Sequence, residues 1–504
     1  MSPQVNPGKR TAAQQIIFCV CVIAVLARTL LFIFGAGQAP FKDDTALYWV
    51  ESREIALGHR PAEMAWDNCD TLPAARFLLP SVPSWRAPLF HIWLALHHLV
   101  AGPWALYSIV AANHLLLLAA TVMTCLTVFV LTRSYGAVTV VLLIDCLGVT
   151  KYVFATYVLS EPLASALLSA SLLSSVISLK SHRYIPLAVT GCLFGLLTLT
   201  RTVFLGCPAA LAIALYYPRP LALDSSKRNS TLTRVTILAA FYLMTVSPWL
   251  LRNQAIYGKP FLTTHGGIQL YQSAFTESRL PFPNSPSAAA IAKHFDLESP
   301  EARSAFLVVK TLNCDSHDPV KTSQLMQAVA LEAVRANFVT VARDSVGRAA
   351  RISVTNASDF GNYWKIVPEA VEGRAPYSDL GQRAVYSPVI AYVTDRFIRY
   401  GWYGWLHSPA ACWIAAGVVM ISLVLLATDT RNRSIAILMW GMCIQLFGVM
   451  GCLAVPLERY RTVLEPLFLL SVAVAAWSLW SSRSQAARLE HSATANSSIM
   501  TDNP

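Results

Sequence analysis

Apolar segments of about 20 residues recur along this 504-residue chain, from residues 14–36 to residues 462–481. A helix of ~20 such residues crosses the ~30 Å hydrocarbon core of a bilayer. A cleaved leader would explain only the first of them. Charged residues make up 13% of the chain, about half the ~25% of soluble domains. The expected fold class is therefore an all-α polytopic membrane protein. We count ten spans: 14–36, 105–132, 136–153, 161–179, 185–200, 203–218, 233–252, 408–427, 434–455 and 462–481.

Basic residues set the expected orientation. With the amino terminus in the cytoplasm, Lys9, Arg10, Arg133, Lys180, Arg183, Lys227, Arg228, Arg234, Arg431, Arg433, Arg483 and Arg488 all fall inside. This is the positive-inside pattern, and it accounts for the net charge of +11 without a nucleic-acid partner. The expected location is the cytoplasmic (inner) membrane, with the working face toward the periplasm or exterior.

Four regions follow. Residues 1–252 form an amino-terminal transmembrane module with a first outer loop at 37–104. Residues 253–407 form a large extracytoplasmic loop domain, 408–481 the last transmembrane helices, and 482–504 a disordered cytoplasmic tail. Within the first loop, "RAPLFHIWLALHHLVAGPW" holds an apolar stretch too short to cross, which reads as an interfacial helix at 88–101. The second loop carries an amphipathic helix near 321–352, apolar at three- and four-residue spacing. Nine of the eleven cysteines lie in apolar runs; Cys69 and Cys314 are the two in polar regions, and a bond between them would tie the outer loops together.

The outer helix ends collect charge. Asp43 and Asp44 follow the first span, Glu161 opens the fourth, Arg201 follows the fifth, and Arg252 closes the seventh. Glu458, Arg459, Tyr460 and Arg461 precede the last. Charge at one membrane depth usually faces a cavity or a partner, and acids opposite arginines fit a pocket that binds an anion and moves a proton. Other readings stand beside this one. Arginines at helix ends snorkel to headgroups, and Glu161 before Pro162 suits a helix N-terminus. Capping explains Asp43 and Asp44 less well, because one acid suffices and two repel. The face Asp44, Tyr48, Glu51 and Ile55 runs at helical spacing behind them.

These pieces resemble the GT-C class of membrane glycosyltransferases, the polyprenyl-phosphate-sugar-dependent enzymes akin to protein O-mannosyltransferases and lipid A aminoarabinose transferases. The resemblance rests on "DDTALYWVESREIALG", "RAPLFHIWLAL", "YVLSEPL", "GLLTLTR", "SPWLLRNQAIYGKPFLTTHGGIQLY" and "RYRTVLEP", in that order. It implies a GT-C-like fold with two large outer loops. It also implies that Asp43 is the catalytic base and Asp44, often Glu in relatives, its partner. Arg459 or Arg461 would sit near the lipid phosphate. Beside what the resemblance implies, Tyr460, Glu161, Arg201, Arg252 and His265 are the further candidate substrate-binding residues. The carboxy-terminal soluble domain of some relatives has no counterpart here.

A sugar on polyprenyl phosphate is already activated, so no nucleotide is required, and the chain has no GxxxxGK[ST] loop. The expected partners are that lipid-linked donor, a hydroxyl acceptor on glycan, lipid or protein, and the bilayer itself. No cofactor is expected, since two carboxylates alone make a poor metal site. Two other functions fit the same segments: a secondary transporter of a small anionic or sugar-like solute, and a lipid-linked glycan ligase or polymerase.

Overall fold

The computed structural model describes residues 12–35, 44–57, 86–147, 152, 155–181, 183–216, 225–316, 318–345, 433–453 and parts of 466–477. Among these residues the regular structure is helical, with no strand. Four helices are long and apolar enough to cross a membrane: Gln15–Phe34, Pro88–Thr132, Glu161–Ser181 and Ser230–Tyr257; a fifth appears if the bent pair Pro319–Ala336 and Phe338–Ser345 is counted. By length and composition this is the architecture of a membrane protein. Of the other expected spans, 136–153, 185–200, 203–218 and 434–455 contain shorter apolar helices, Tyr135–Cys146, Tyr184–Thr200, Thr202–Tyr216 and Ser434–Leu446. Span 408–427 and the tail 482–504 lie outside the described residues.

Helix α1 (Ala12–Gly35), α4 (Ala105–Thr132), α5 (Tyr135–Leu147), α6 (Glu161–Ser181), α7 (Tyr184–Thr200), α8 (Cys207–Tyr216) and α9 (Ser225–Tyr257) make the bundle, joined by α15 (Arg433–Leu453). α6 is the enclosed one, with 72% of its apolar window buried against 22% for α1 and α9. Its sequence allows this. Ser169, Ser171, Ser175 and Ser178 are fully buried, and small residues let neighbouring helices approach closely. The α7–α9 crossing is closer still. A Cβ on Gly191 would meet the Leu238 carbonyl oxygen at 2.7 Å, and one on Gly195 would meet Thr245 Cβ at 2.6 Å. Four residues apart, the two glycines share one face of α7 and admit the backbone of α9.

Basic side chains close helix ends at one pole of the bundle. Lys180 donates to the Val130 and Leu131 carbonyls at the end of α4, and Arg234 donates to the Ser178 carbonyl at 2.7 Å. Cations there satisfy orphan carbonyls and complement the helix dipole.

Two further helices pack at the opposite pole: α2 (Asp44–Ala56) and α3 (Pro88–Ala101). The apolar helical stretch Pro88–Thr132 runs to 45 residues, more than twice what a bilayer needs, and it is not one rod. Gly102 takes φ 51° at its break. Beyond it, His97 Nδ1 and Ser108 Oγ are hydrogen-bonded at 2.8 Å, although 11 residues of straight helix would separate them by roughly 16 Å. α3 therefore folds back beside the first turns of α4. It buries Phe90, His91, Leu94 and Ala95 and exposes Leu96, Leu99 and Val100.

After α9 the chain builds a second core from α10 (His265–Tyr271), α11 (Pro286–Ala292), α12 (Pro300–Arg303), α13 (Ala305–Ser316) and α14 (Pro319–Ala336). Tyr271, Phe275, Ile291, Val308, Met326 and Val329 fill it. Tyr271 donates its hydroxyl to the Ala302 carbonyl at 2.5 Å, and burial pushes the phenol pKa up. Asp318 caps α14 through the Val320 and Lys321 amides. The expected helix over 321–352 is shorter than the periodicity indicates. α14 ends at Asn337 (φ −124°, ψ 34°), whose side chain donates to the Ala333 carbonyl, and the following helix leaves at 99°. Asparagine favours such local backbone bonds over helix continuation.

Candidate functional site

Of the predicted charges that are described, Asp44, Glu161, Arg201 and Arg252 lie on helices that meet at the pole carrying α2 and α3. One apolar cluster joins Tyr48 and Trp49 of α2, Phe90 and Leu94 of α3, Ile109 and Val110 of α4, and Val158 and Leu163 at the start of α6. A second joins Ile55 of α2 and Leu89 and Ile92 of α3 to Leu199 of α7 and to Val246 and Trp249 of α9. Asp44, Glu161, Arg201 and Arg252 thus sit on helix ends brought to one side of the bundle. Asp44 is the first residue of α2, a position where the helix dipole favours a carboxylate.

Glu161 and Arg201 meet. The Arg201 Nη1 and Glu161 Oε1 are 2.8 Å apart, with side chains 15% and 2% exposed. Both ends of the reading are therefore partly true: Glu161 opens its helix, and its charge is matched by an arginine from the next. This pair holds much of the charge that the sequence assigned to substrate. Arg252 stacks 4.6 Å over the Trp249 ring and donates to Asn253 Oδ1 at 2.7 Å.

The segment "PWLLRNQAIYGKPFL" has a mechanical explanation. Trp249 Nε1 donates to the Leu262 carbonyl and Asn253 Nδ2 to the Phe261 carbonyl, each at 2.7 Å, while Gly258 takes φ 70°. Two side chains of α9 thereby clamp the returning strand of loop. His265 opens α10 with Nε2 at 2.8 Å from Gln269 Nε2. Of the two glycines in "HGG", only the second is enclosed: a Cβ on Gly267 would collide with the Ser323 carbonyl, whereas one on Gly266 meets nothing within 4 Å.

Two constellations were not picked out from the sequence. In the first, Glu51 Oε2 and His91 Nε2 are 2.7 Å apart with both side chains buried. Tyr48 lies against the His91 ring at 5.0 Å, and the Arg86 guanidinium stacks 4.2 Å over Tyr48. In the second, Arg28 of α1 bonds Asp145 of α5 at 2.5 Å and also donates to the Asp145 backbone carbonyl. Thr121 Oγ1 donates to Asp145 Oδ1 at 2.8 Å and Tyr152 to Oδ2 at 3.2 Å. Arg28 stacks 3.7 Å over Tyr152, whose ring lies parallel to that of buried His114. A charge inside an apolar run of span length is itself the signal, because it is costly unless partnered. Arg28 and Asp145 are such charges, of opposite sign.

Asp43, Arg459, Tyr460, Arg461 and Cys69 lie outside the described residues, and Cys314 falls in α13. Among the described residues no three His, Cys, Asp or Glu side chains cluster as metal ligands. Comparison of the chain with family models, with curated proteins and with solved structures gives no match.

What this pole offers chemically is a carboxylate-bearing helix start, a matched ion pair and a stacked arginine, next to a helix with an exposed apolar face.

Proposed function

We propose that the chain is an inverting glycosyltransferase with a GT-C-like fold of ten spans. It moves a sugar from polyprenyl phosphate to a hydroxyl at the outer face of the cytoplasmic membrane. The observation that supports this best is the meeting of α2, which begins at Asp44, with α3 and the charged ends of α6, α7 and α9 at one pole. α3 turns Leu96, Leu99 and Val100 outward there, an apolar edge along which a lipid tail can lie.

In this reading Asp43 accepts the acceptor's hydroxyl proton as the new C1–O bond forms; a carboxylate is too weak a base to remove it beforehand. The C1–O bond to phosphate breaks on the opposite face, so the anomeric centre inverts, and the electron pair leaves with the phosphate. Arg459 or Arg461, with Arg252, stabilises that developing charge by charge-assisted hydrogen bonds. Glu161 and Arg201 neutralise each other and shape the pocket wall.

A second reading has one observation in its favour. Arg28, Asp145 and His114 lie within helices of the bundle rather than at its pole, and coupling sites of secondary transporters lie near mid-membrane. Mass spectrometry of cell-envelope glycans separates the two. Cells lacking the protein, or carrying Asp43→Asn, are expected to lose the same sugar, whereas Asp145→Asn affects only protein level. An unchanged envelope in both of the first strains would count against transfer.

A further inference from the structure

We propose that the buried Glu51–His91 bond is a positioning device that sets the rotation of α2, and with it the position of Asp44 at the helix start. This rests on the transfer reading for what the aspartates do, but not for what the bond does to the helix.

Helix α2 needs such a device. It has 13 residues and little net apolarity, near the length at which isolated helices are marginal in water. Apolar contacts from Tyr48, Trp49 and Ile55 hold it to its neighbours, but such contacts are non-directional and allow the helix to roll. The bond from Glu51 to His91 is directional, short at 2.7 Å, and sheltered, with His91 fully buried and Glu51 3% exposed.

Its place on the helix matters. Glu51 is seven residues beyond Asp44, so at ~100° per residue the two positions lie within about 20° of one another, two turns apart. Fixing the azimuth of Glu51 therefore fixes that of Asp44, where the helix begins. A Cα lies about 2.3 Å from the helix axis, so a 30° roll moves it roughly 1.2 Å and a side-chain end further. A displacement of about 1 Å is enough to lower a rate ~10²-fold.

The histidine suits the task. His91 Nδ1 has no hydrogen-bond partner among the described residues. With Nε2–H donating to Glu51, Nδ1 is left as a lone pair, which costs less to bury than an unmatched N–H⁺. Tyr48 and Arg86 close the other side, the ring of one against His91 and the guanidinium of the other over that ring.

The test combines two readouts on the full chain in lipid nanodiscs. Amide hydrogen exchange over residues 44–56 reports the helix, and single-turnover transfer reports the aspartates. For transfer, the probe is a panel of polyprenyl phosphates carrying radiolabelled hexoses or pentoses. Glu51→Ala and His91→Ala should each speed exchange in α2 at least ~10-fold. Both should also lower kcat about 10²-fold with KM for the donor within about threefold. Glu51→Gln, whose Oε1 can still accept from His91 Nε2–H, should recover most of both. If the alanine variants do not fold, the exchanged pair Glu51→His with His91→Glu should restore wild-type exchange. Unchanged exchange in Glu51→Ala and His91→Ala overturns the proposal, as does faster exchange with unaltered kcat. A fully active Asp43→Asn and Asp44→Asn double variant removes the transfer reading instead and leaves the exchange result standing.

Discussion

Removing Arg28 is a sharp test of how this bundle is held together. Arg28 and Asp145 are 2.5 Å apart, with side chains 12% and 0% exposed. At an effective dielectric of ~20 and a mean charge separation of ~3 Å, their attraction is about 5 kcal/mol. Desolvation cancels much of that, so the pair itself contributes little relative to apolar packing. Breaking it is another matter. Arg28→Met removes the charge partner of a fully buried carboxylate that also accepts from the Thr121 and Tyr152 hydroxyls, and that costs about 3–5 kcal/mol. Among the described residues the other contacts of α1 are chiefly apolar, those of Cys21 and Val25 among them. Equilibrium unfolding in mixed micelles should show the unfolded fraction rising about 10²- to 10⁴-fold for Arg28→Met. Arg28→Met combined with Asp145→Leu should return to within about 2 kcal/mol of wild type, because no charge is then stranded. A double variant that loses the full sum of the single losses would refute this account of the pair.

Other expectations follow from particular contacts. Gly267→Ala must displace the Ser323 carbonyl and should cost about 1–3 kcal/mol by thermal shift, while Gly266→Ala, in open space, should change stability by less than ~0.5 kcal/mol. Arg201→Ala removes the ion-pair partner of buried Glu161 and should destabilise by about 3 kcal/mol; adding Glu161→Gln should recover most of the loss. A thiol count under denaturing, non-reducing conditions is expected to label nine of the eleven cysteines, sparing Cys69 and Cys314; labelling of all eleven would exclude their bond.

Membrane character and helix positions were legible because they depend on a property that any 20-residue window carries. α4, α6, α7 and α9 begin or end within a few residues of the expected spans. The gathering of Asp44, Glu161, Arg201 and Arg252 at one pole was also legible, since alternating helix direction follows from short loops. Pairing was not. That Glu161 would engage Arg201, or Glu51 would engage His91, depends on rotation about helix axes, which one sequence leaves open. An interfacial helix accommodates a histidine without a partner, so His91 carries no signal of its own in the sequence. Asp145 and Arg28 stand inside expected spans rather than at their ends, where a lone charge in an apolar run carries the stronger signal. The break at Asn337 was hidden by apolar spacing that continues on both sides of it.

The central claim is transfer with Asp43 as base, and the most direct measurement is sugar transfer by the purified protein. In nanodiscs with the panel of labelled polyprenyl-phosphate sugars and crude envelope acceptor, wild type should move label from one donor to acceptor with inversion. Asp43→Asn should retain donor binding and lose at least ~10²-fold of the rate. An Asp43→Asn protein that transfers at the wild-type rate would contradict the account.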